Sequence, residues 1–348
     1  MSYRIGIIGC GTMGRSHART YAAIDRADVV ANVDMIPDAA MAFSDKYGTS
    51  VYTDYEEMLA QEDLDVVSVC TWHSTHAKLT ITACESGVSG IILEKPMATN
   101  MGETWDILDA AERNDVALIV SHQRRHDPVH EGLRSRIADG AIGSPRLARV
   151  GYRNGLLNWG THLIDMARYI LGDPTPAWVS GHVERLTDRY ERELAIEDNC
   201  TATVAFEDGT RLVVEMDVPG PDATDTRLQF YGDRGVCDLA LGSSATITSI
   251  DGTTEFAPES DRGNRQGMTE DFFDLLDGER DDHRCLGERA APTMEIMMGI
   301  YEAARTRTIV EFPMQTRVNP LERLIDEALP PQYPGDYDIR LPYRSIRD

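Results

Sequence analysis

The sequence predicts an α/β chain of two domains, a doubly wound parallel sheet over residues 1–122 followed by an α+β domain over residues 123–348. Three observations predict it. The chain has 348 residues, more than one ordinary core serves. Strand-length apolar runs alternate with helix-length segments as far as Ser121. Beyond that point strand-like runs follow one another directly, with turn signals between them.

Residues 4–8 read as the first strand, and a glycine-rich turn opens a helix over 14–24. Strand 29–33 comes next, then a helix over 37–47 that Gly48 stops. Strand 51–52, helix 55–60, strand 66–70 and a helix over 75–86 closed by Gly87 follow. Strand 90–94, helix 101–114 and strand 116–121 complete the unit. In the second part a helix over 127–139 ends at Gly140. Strand-like runs then lie at 146–152, 177–186, 200–206, 211–217, 226–231, 236–240 and 245–250. Asp208-Gly209 and Asp251-Gly252 are hairpin signals between such runs. An antiparallel or mixed sheet is expected, with helices at 160–171, 269–277 and 292–306 covering one face. The tail from Pro313 is proline-rich and is expected to wrap the surface.

Composition excludes several classes. A formal net charge of −24 argues against nucleic acid, whose backbone would be repelled. No apolar run approaches the roughly 18–20 residues that span a bilayer. The N-terminus, an apolar strand running straight into a glycine-rich turn, does not read as a signal peptide, so a cytoplasmic protein is expected. Of the 34 basic residues only Lys46, Lys78 and Lys95 are lysines, against 58 acidic residues. Acid-rich, lysine-poor composition suits a high-salt cytoplasm, where screening removes much of the self-repulsion. A merely acidic protein is the alternative. The six cysteines form no C-x-x-C pair and are expected to be reduced and buried. His122, His126 and His130 fall four apart, but Asp127-Pro128 interrupts any helix there, so no metal site is expected.

Gly9-Cys10-Gly11-Thr12-Met13-Gly14 is a G-x-G-x-x-G turn between a strand and a helix, the context a dinucleotide site requires. Gly9 permits the tight turn, Gly11 admits the pyrophosphate to the backbone, and Gly14 lets helix and strand pack closely. The helix N-terminus offers N–H groups and a positive dipole. Asp34 ends the next strand, 20 residues beyond Gly14, where an acid bonds the adenine ribose and repels a 2′-phosphate. Met35 and Ile36 offer no cation for such a phosphate, so NAD is expected over NADP.

Two further motifs are Glu94-Lys95-Pro96 at a strand end, and His162-x-x-Asp165 within a helix that closes on Leu171-Gly172. With the glycine turn, they resemble the glucose–fructose oxidoreductase / inositol dehydrogenase / MocA (Gfo/Idh/MocA) family, from Tyr3 to about Pro313. The resemblance implies a large, mostly antiparallel second-domain sheet whose open face pairs with another subunit, hence a homodimer or homotetramer. It implies that Lys95 meets both nicotinamide and substrate and that Pro96 follows a cis peptide. His162 would take or give the hydroxyl proton. The family often places an Asp four residues before that histidine, where this chain has Asn158. Asn158 would meet His162 if the helix began by 158, but it can only hydrogen-bond, and Asp165 could supply the carboxylate instead. The family's T-P-N-x-x-H turn here reads Thr71-Trp72-His73-Ser74-Thr75-His76, so Thr71, Trp72 and His76 would border the cofactor in a different way.

The chemistry also follows from residue types. Hydride loss from a secondary alcohol needs a base near the hydroxyl and a donor on the developing carbonyl. A lysine at the C-terminal edge of a parallel strand stands where such sheets bind ligands, and its pKa can be tuned as that of arginine cannot. Arg124 and Arg153 could hold a carboxylate or phosphate on a sugar-like substrate, with Trp159 beside them; ordinary salt bridges are the alternative for either arginine. Asp165 could equally pair with Arg168. The expected function is NAD-dependent hydride transfer at a hydroxyl of a sugar, cyclitol or sugar acid. Two rivals stay open: an enzyme that retains its NAD, such as an NAD-dependent glycosidase, and a regulator that binds NAD and a sugar without turnover.

Overall fold

The computed structural model describes residues 2–218, 227–240, 244–257, 263–327 and 332–335. Part of the proline-rich tail, and Thr226 of the strand expected at 226–231, lie outside the described residues. The chain divides into two compact units. One comprises Met1–Thr99, Glu103–His126 and Arg262–Ala290; the other comprises Asn100–Gly102, Asp127–Asp261 and Ala291–Asp348.

The first unit is built on β1 (Tyr3–Ile8), β2 (Ala27–Val33), β3 (Ser50–Tyr52), β4 (Val66–Val69), β5 (Gly90–Leu93) and β6 (Ala117–Val120). All pair in parallel, in the order β3-β2-β1-β4-β5-β6, the Rossmann arrangement. Every residue of β4 and β5 is buried, as expected of strands covered on both faces. Between the strands run α1 (Thr12–Tyr21), α2 (Pro37–Tyr47), α3 (Tyr55–Gln61), α4 (His73–Cys84) and α5 (Met101–Arg113). Gly48 ends α2 at φ 74°, and the Asp54 carboxylate caps α3 by accepting from the N–H groups of Glu56 and Glu57.

This unit also holds α8 (Asn264–Leu276). The sequence reading placed that helix on the second domain's sheet. Instead Met268, Phe272 and Phe273 join Ile5, Ile7, Ile92 and Ile119 in the first core. The physical reason is a hole in β5: a Cβ on Gly90 would come within 2.7 Å of Phe272 Cζ. Tyr3 stacks on Phe273 with ring centroids 4.5 Å apart, and Arg26 binds Asp274 and Asp277. Residues 262–290, with the 3₁₀ turn Gln123–His126, thus lie in the first unit although they belong to the expected 123–348 domain.

In the second unit α6 (Pro128–Ala138) is capped by the Asp127 side chain at the N–H of Val129, with Pro128 as its first residue. The strands are β7 (Pro145–Tyr152), β8 (Pro176–Glu184), β11 (Asn199–Phe206), β12 (Arg211–Met216), β13 (Arg227–Gly232), β14 (Gly235–Ala240), β15 (Ser244–Ser249), β16 (Gly252–Phe256) and β17 (Val310–Glu311). Among the described residues they form one nine-stranded sheet, β16-β15-β14-β13-β7-β12-β11-β8-β17, in which only β7 and β12 pair in parallel. Alternating burial along β12 marks one face on the core and one turned outward. A two-stranded ribbon, β9 (Tyr190–Glu191) and β10 (Leu194–Ala195), stands apart.

Helix α7 (Thr161–Ile170) is buried at all ten residues. Helix α9 (Gly287–Thr306) starts five residues before Pro292, which the sequence reading used as its start. It lies tight on β8: a Cβ at Gly181 would meet Ile300 O at 3.0 Å, and one at Gly299 would meet Val179 Cγ1 at 2.9 Å. A short α10 (Pro320–Glu327) follows. The ribbon, β16, β17 and α10 are absent from the sequence reading; each is under nine residues and too short for a periodic signal.

Candidate active site

The turn between β1 and α1 is shaped by its three glycines in three different ways. Gly9 has φ 98°, which L side chains avoid. Gly14 touches the turn so closely that a Cβ would lie 2.0 Å from Gly9 O. Gly11 faces open space, with nothing within 4 Å of where its Cβ would stand. It N-caps α1 without a side-chain cap, so the first-turn N–H groups, including those of Thr12 and Met13, open into that space. Cys10 turns its thiol into the core, where burial pushes its pKa up to about 12. Only its backbone serves the turn, donating to Asp34 Oδ2 at 2.8 Å. Asp34 Oδ1 accepts from the N–H of Ile36 at 2.9 Å, which fixes the carboxylate at the end of β2 with lone pairs left for ribose hydroxyls. Open glycine, uncapped helix start and fixed acid fit a dinucleotide.

Glu94-Lys95-Pro96 leaves the C-terminal end of β5, and the Lys95–Pro96 peptide is cis. Glu94 is 4% exposed and sits in a buried polar network. Its Oε2 accepts from the Lys95 N–H at 3.3 Å. Its Oε1 accepts from Arg265 Nη1 of α8 at 3.0 Å and lies 3.0 Å from His17 Nε2. Arg265 Nη1 also reaches Ser121 Oγ at 2.7 Å and His17 Nε2 at 2.5 Å. His17 Nδ1 faces Ser68 Oγ at 3.3 Å, and that hydroxyl bonds Tyr21. Burial opposes the Glu94 charge, yet the Arg265 guanidinium, the His17 bond and Lys95 hold the carboxyl well below its usual range. Burial, helped by Arg265, lowers His17 to about 4, so its ring is neutral at pH 7 and Nε2 serves one neighbour at a time.

Thr71 and Trp72 form the turn before α4, with Trp72 at the helix N-cap and 36% exposed. His76, fully buried, bridges two turns: Nδ1 lies 2.8 Å from Pro96 O and Nε2 lies 3.2 Å from Thr71 O. It ties the Lys95–Pro96 turn to the one after β4.

In the second unit a π-helix, Gly155–Gly160, runs directly into α7. Position 158 therefore lies in a turn wider than an α-helix, and the α-helix itself begins at Thr161. The π turn starts from Asn154 and Gly155, both at φ 76°. Two carboxylates hold its opening N–H groups. Asp217 accepts from Asn154 at 2.9 Å and from Gly155 at 2.7 Å, and Glu197 Oε1 accepts from Leu156 at 2.6 Å. Glu197 Oε2 accepts from the Tyr301 hydroxyl at 2.6 Å, and burial pushes this carboxyl up. Asn158 and His162 are both buried, one turn apart. Trp159 packs edge-on against His162 at 5.8 Å between ring centroids and against Tyr152 at 4.7 Å. The exposed Arg153 lies over the Tyr152 ring at 6.0 Å. Asp165 is buried on α7; Thr293 donates to its Oδ1 at 3.4 Å and in turn accepts from Arg168 Nη1 at 3.0 Å.

Arg124 lies in the 3₁₀ turn of the first unit and Arg153 in the second. All six cysteines are buried free thiols. His126, His283 and Cys285 bring ligand atoms within 4.8 Å of one another. Both ring nitrogens of His283 are already engaged, Nε2 with Met268 O and Nδ1 with the Cys285 N–H, each at 3.0 Å. Burial lowers the ring to about 4, and the cluster reads as packing between α8 and the end of β6. Arg265, His17, Ser68, Tyr21, Glu197 and Asp217 are missing from the sequence reading. No spacing points to them: Arg265 and Glu94 stand 171 residues apart.

Residues 3–122 match the family described as "Oxidoreductase family, NAD-binding Rossmann fold", and residues 130–238 match the "GFO/IDH/MocA C-terminal domain". The chain is similar to a D-apiose dehydrogenase of Paraburkholderia graminis, 28% identical over 72% of this chain and 71% of that one. It is similar also to a myo-inositol 2-dehydrogenase of Thermotoga maritima, 27% identical over 75% and 80%. Among solved structures, a levoglucosan dehydrogenase in complex with NADH and levoglucosan superposes with TM-score 0.80 at 20% identity, over 90% of this chain and all of that one. An oxidoreductase from Agrobacterium radiobacter in complex with NAD+, L-tartaric acid and magnesium superposes at 0.77 and 20%, over 89% and 98%. Among the described residues no helix is long and apolar enough to cross a membrane.

Proposed function

Since this chain belongs to the Gfo/Idh/MocA family of NAD-binding oxidoreductases, we propose that it is an NAD-dependent dehydrogenase or reductase acting on a secondary hydroxyl or ketone of a sugar, cyclitol or sugar acid. NAD, when bound, takes up or supplies the hydride. The observation that carries the reading is the place of Lys95. It stands at the end of β5, in a parallel sheet whose glycine turn opens on an uncapped helix N-terminus. Relatives named for apiose and inositol oxidation support the substrate class.

In this reading Gly9 to Gly14 and Asp34 hold the nucleotide, while Thr71, Trp72 and His76 border the nicotinamide end with Glu94 and Pro96. Lys95 donates to the oxygen of the reacting carbon, which stabilises the charge developing there. His162 holds or moves the hydroxyl proton, with Asn158 and Asp165 as its supports. Trp159 offers a sugar ring an apolar face, and Arg153 or Arg124 holds a carboxylate or phosphate. Asn158, where the family motif has Asp, favours a second reading in which nucleotide and sugar bind without net turnover. We extend the proposal to a cytoplasmic homo-oligomer, with residues 1–122 as the cofactor domain's core and 123–348, apart from the segment around α8 that packs into that core, serving substrate and subunit contacts. Adaptation to salt is part of it, and a thermal midpoint unchanged between low and molar KCl would remove that part.

The test is NADH formation in molar KCl over a panel that includes D-apiose, myo-inositol, levoglucosan and sugar acids, wild type beside Lys95→Ala. Turnover in the wild type and none in the variant establishes the dehydrogenase. Binding of NAD with no turnover on any compound transfers the argument to the second reading.

A further inference from the structure

We propose that Arg265 is a positioning residue for the hydride site, acting through Glu94 to fix the backbone of Lys95. The inference rests on Lys95 serving that site. It adds a component from a helix that follows eight of the nine strands of the second unit's sheet in sequence.

The geometry is a relay of two contacts. Arg265 Nη1 bonds Glu94 Oε1 at 3.0 Å, and the other oxygen of the same carboxylate accepts from the Lys95 N–H at 3.3 Å. Arg265 and Glu94 are 11% and 5% exposed, so the pair is little screened and the orientation of the carboxylate is set by its partners. His17 Nε2 also lies 3.0 Å from Glu94 Oε1, but beside Arg265 its ring is neutral, so it brings the carboxylate a hydrogen bond and no charge. Ser121 accepts from Arg265 and brings no charge either. Arg265 also joins two elements of the sheet's C-terminal edge, the end of β5 through Glu94 and the end of β6 through Ser121, with His17 of α1 beside them on the same carboxylate. These are the elements on which a dinucleotide-binding sheet builds its ligand site. Helix α8 has its own anchorage in Phe272, Phe273 and the Arg26 ion pairs, so Arg265 is not what docks it. A guanidinium spent on a buried carboxylate beside Lys95 is therefore explained by placement rather than by attachment.

The experiment compares wild type, Arg265→Met, Arg265→Lys, Glu94→Gln and the double variant Glu94→Gln/Arg265→Met. It measures kcat and KM on a panel sugar that turns over, and the dissociation constant and bound-state fluorescence of NADH without sugar. Loss of Lys95 placement should lower kcat by about 100-fold while the sugar KM moves little, since misplacement of about 1 Å at a reacting group has that effect. Arg265→Lys should recover part of the loss. Removing Arg265 from the Glu94→Gln background should add under about 3-fold, because the relay is already cut. The fluorescence of bound NADH should change alike in both single variants and the double. Full additivity in the double variant, or an Arg265→Met enzyme with wild-type kcat and NADH fluorescence, overturns the proposal. The double variant keeps no unpaired buried charge, so its thermal midpoint guards against simple unfolding. Turnover that survives Lys95→Ala overturns the site reading itself, whereas loss in Lys95→Ala with none in Arg265→Met overturns only the role of Arg265.

Discussion

Alanine at two glycines of the same motif should give opposite signatures. At Gly14 a Cβ would lie 2.0 Å from Gly9 O, 3.1 Å from Gly9 C and 3.2 Å from Ile7 Cγ2. The first two are backbone atoms and cannot swing away, so α1 must lift from the turn by more than 1 Å or so to restore ordinary contact distance. Overpacking of this kind destabilises by about 1–3 kcal/mol, and the rigid contact puts Gly14→Ala at the upper end. At about 2–4 °C per kcal/mol in a unit of this size, the thermal midpoint should fall by roughly 6–12 °C. Lifting α1 also withdraws its N–H groups, so NAD binding should weaken with stability. At Gly11 the same methyl meets nothing within 4 Å. The ligand-free protein should lose no more than the ~1 kcal/mol that alanine costs at a helix N-cap. Yet that space is where a pyrophosphate would approach, and NAD should bind at least about tenfold more weakly, some 1.4 kcal/mol. Calorimetric NAD titration beside thermal melts of both variants separates the two effects. A Gly11→Ala protein with wild-type NAD affinity would refute the placing of the pyrophosphate at this turn. A Gly14→Ala protein with an unchanged melt would refute the steric reading.

Three further outcomes are expected. Asp34→Ala removes a fixed carboxylate from the ribose end, and charge-assisted bonds of about 1.5–3 kcal/mol should shrink the NAD over NADP preference by about 10- to 100-fold; an unchanged ratio in titrations would sink the assignment. Burial lowers His17 and His283 to about 4 from 6.5, so the unfolded chain binds more protons than the folded one between those values. Stability is full above pH 6.5 and should fall with decreasing pH by up to roughly 3 kcal/mol for each ring, with Glu94 adding to the fall below its unfolded pKa. Urea unfolding at pH 7 and pH 4.5 checks this, and equal free energies would contradict the burial of neutral rings. Gly90→Ala forces a methyl to 2.7 Å from Phe272 Cζ and 3.1 Å from Leu276 Cδ1. It should cost about 1–3 kcal/mol; an unperturbed melt would mean that α8 does not seat on β5.

What the sequence revealed and what it hid divide along contact distance in the chain. The glycine turn, Asp34, and the strand end at Lys95 were legible because each depends on neighbours within a few residues, where turn geometry and strand polarity leave a pattern. The π turn was not legible, since its start is set by Asp217 and Glu197, some 60 and 40 residues away, and nothing between Asn154 and Gly160 has a period to read. The helix after it was assigned, but its role as continuation of that turn was not. Helix α8 shows the same limit at the scale of domains. Its apolar residues announce a buried face, yet amphipathicity says only that a face is covered, not by which sheet. The covering surface is decided by Gly90, a residue 182 positions before Phe272 that reads locally as a strand weakened by glycine. The same placement delivers Arg265 to Glu94. A charged residue at the start of that helix carried no local meaning, because its partner is a carboxylate buried by other elements. The site therefore joins two kinds of information. Residues of the glycine turn and the strand ends follow the motif, and the residues that hold those in place follow the fold.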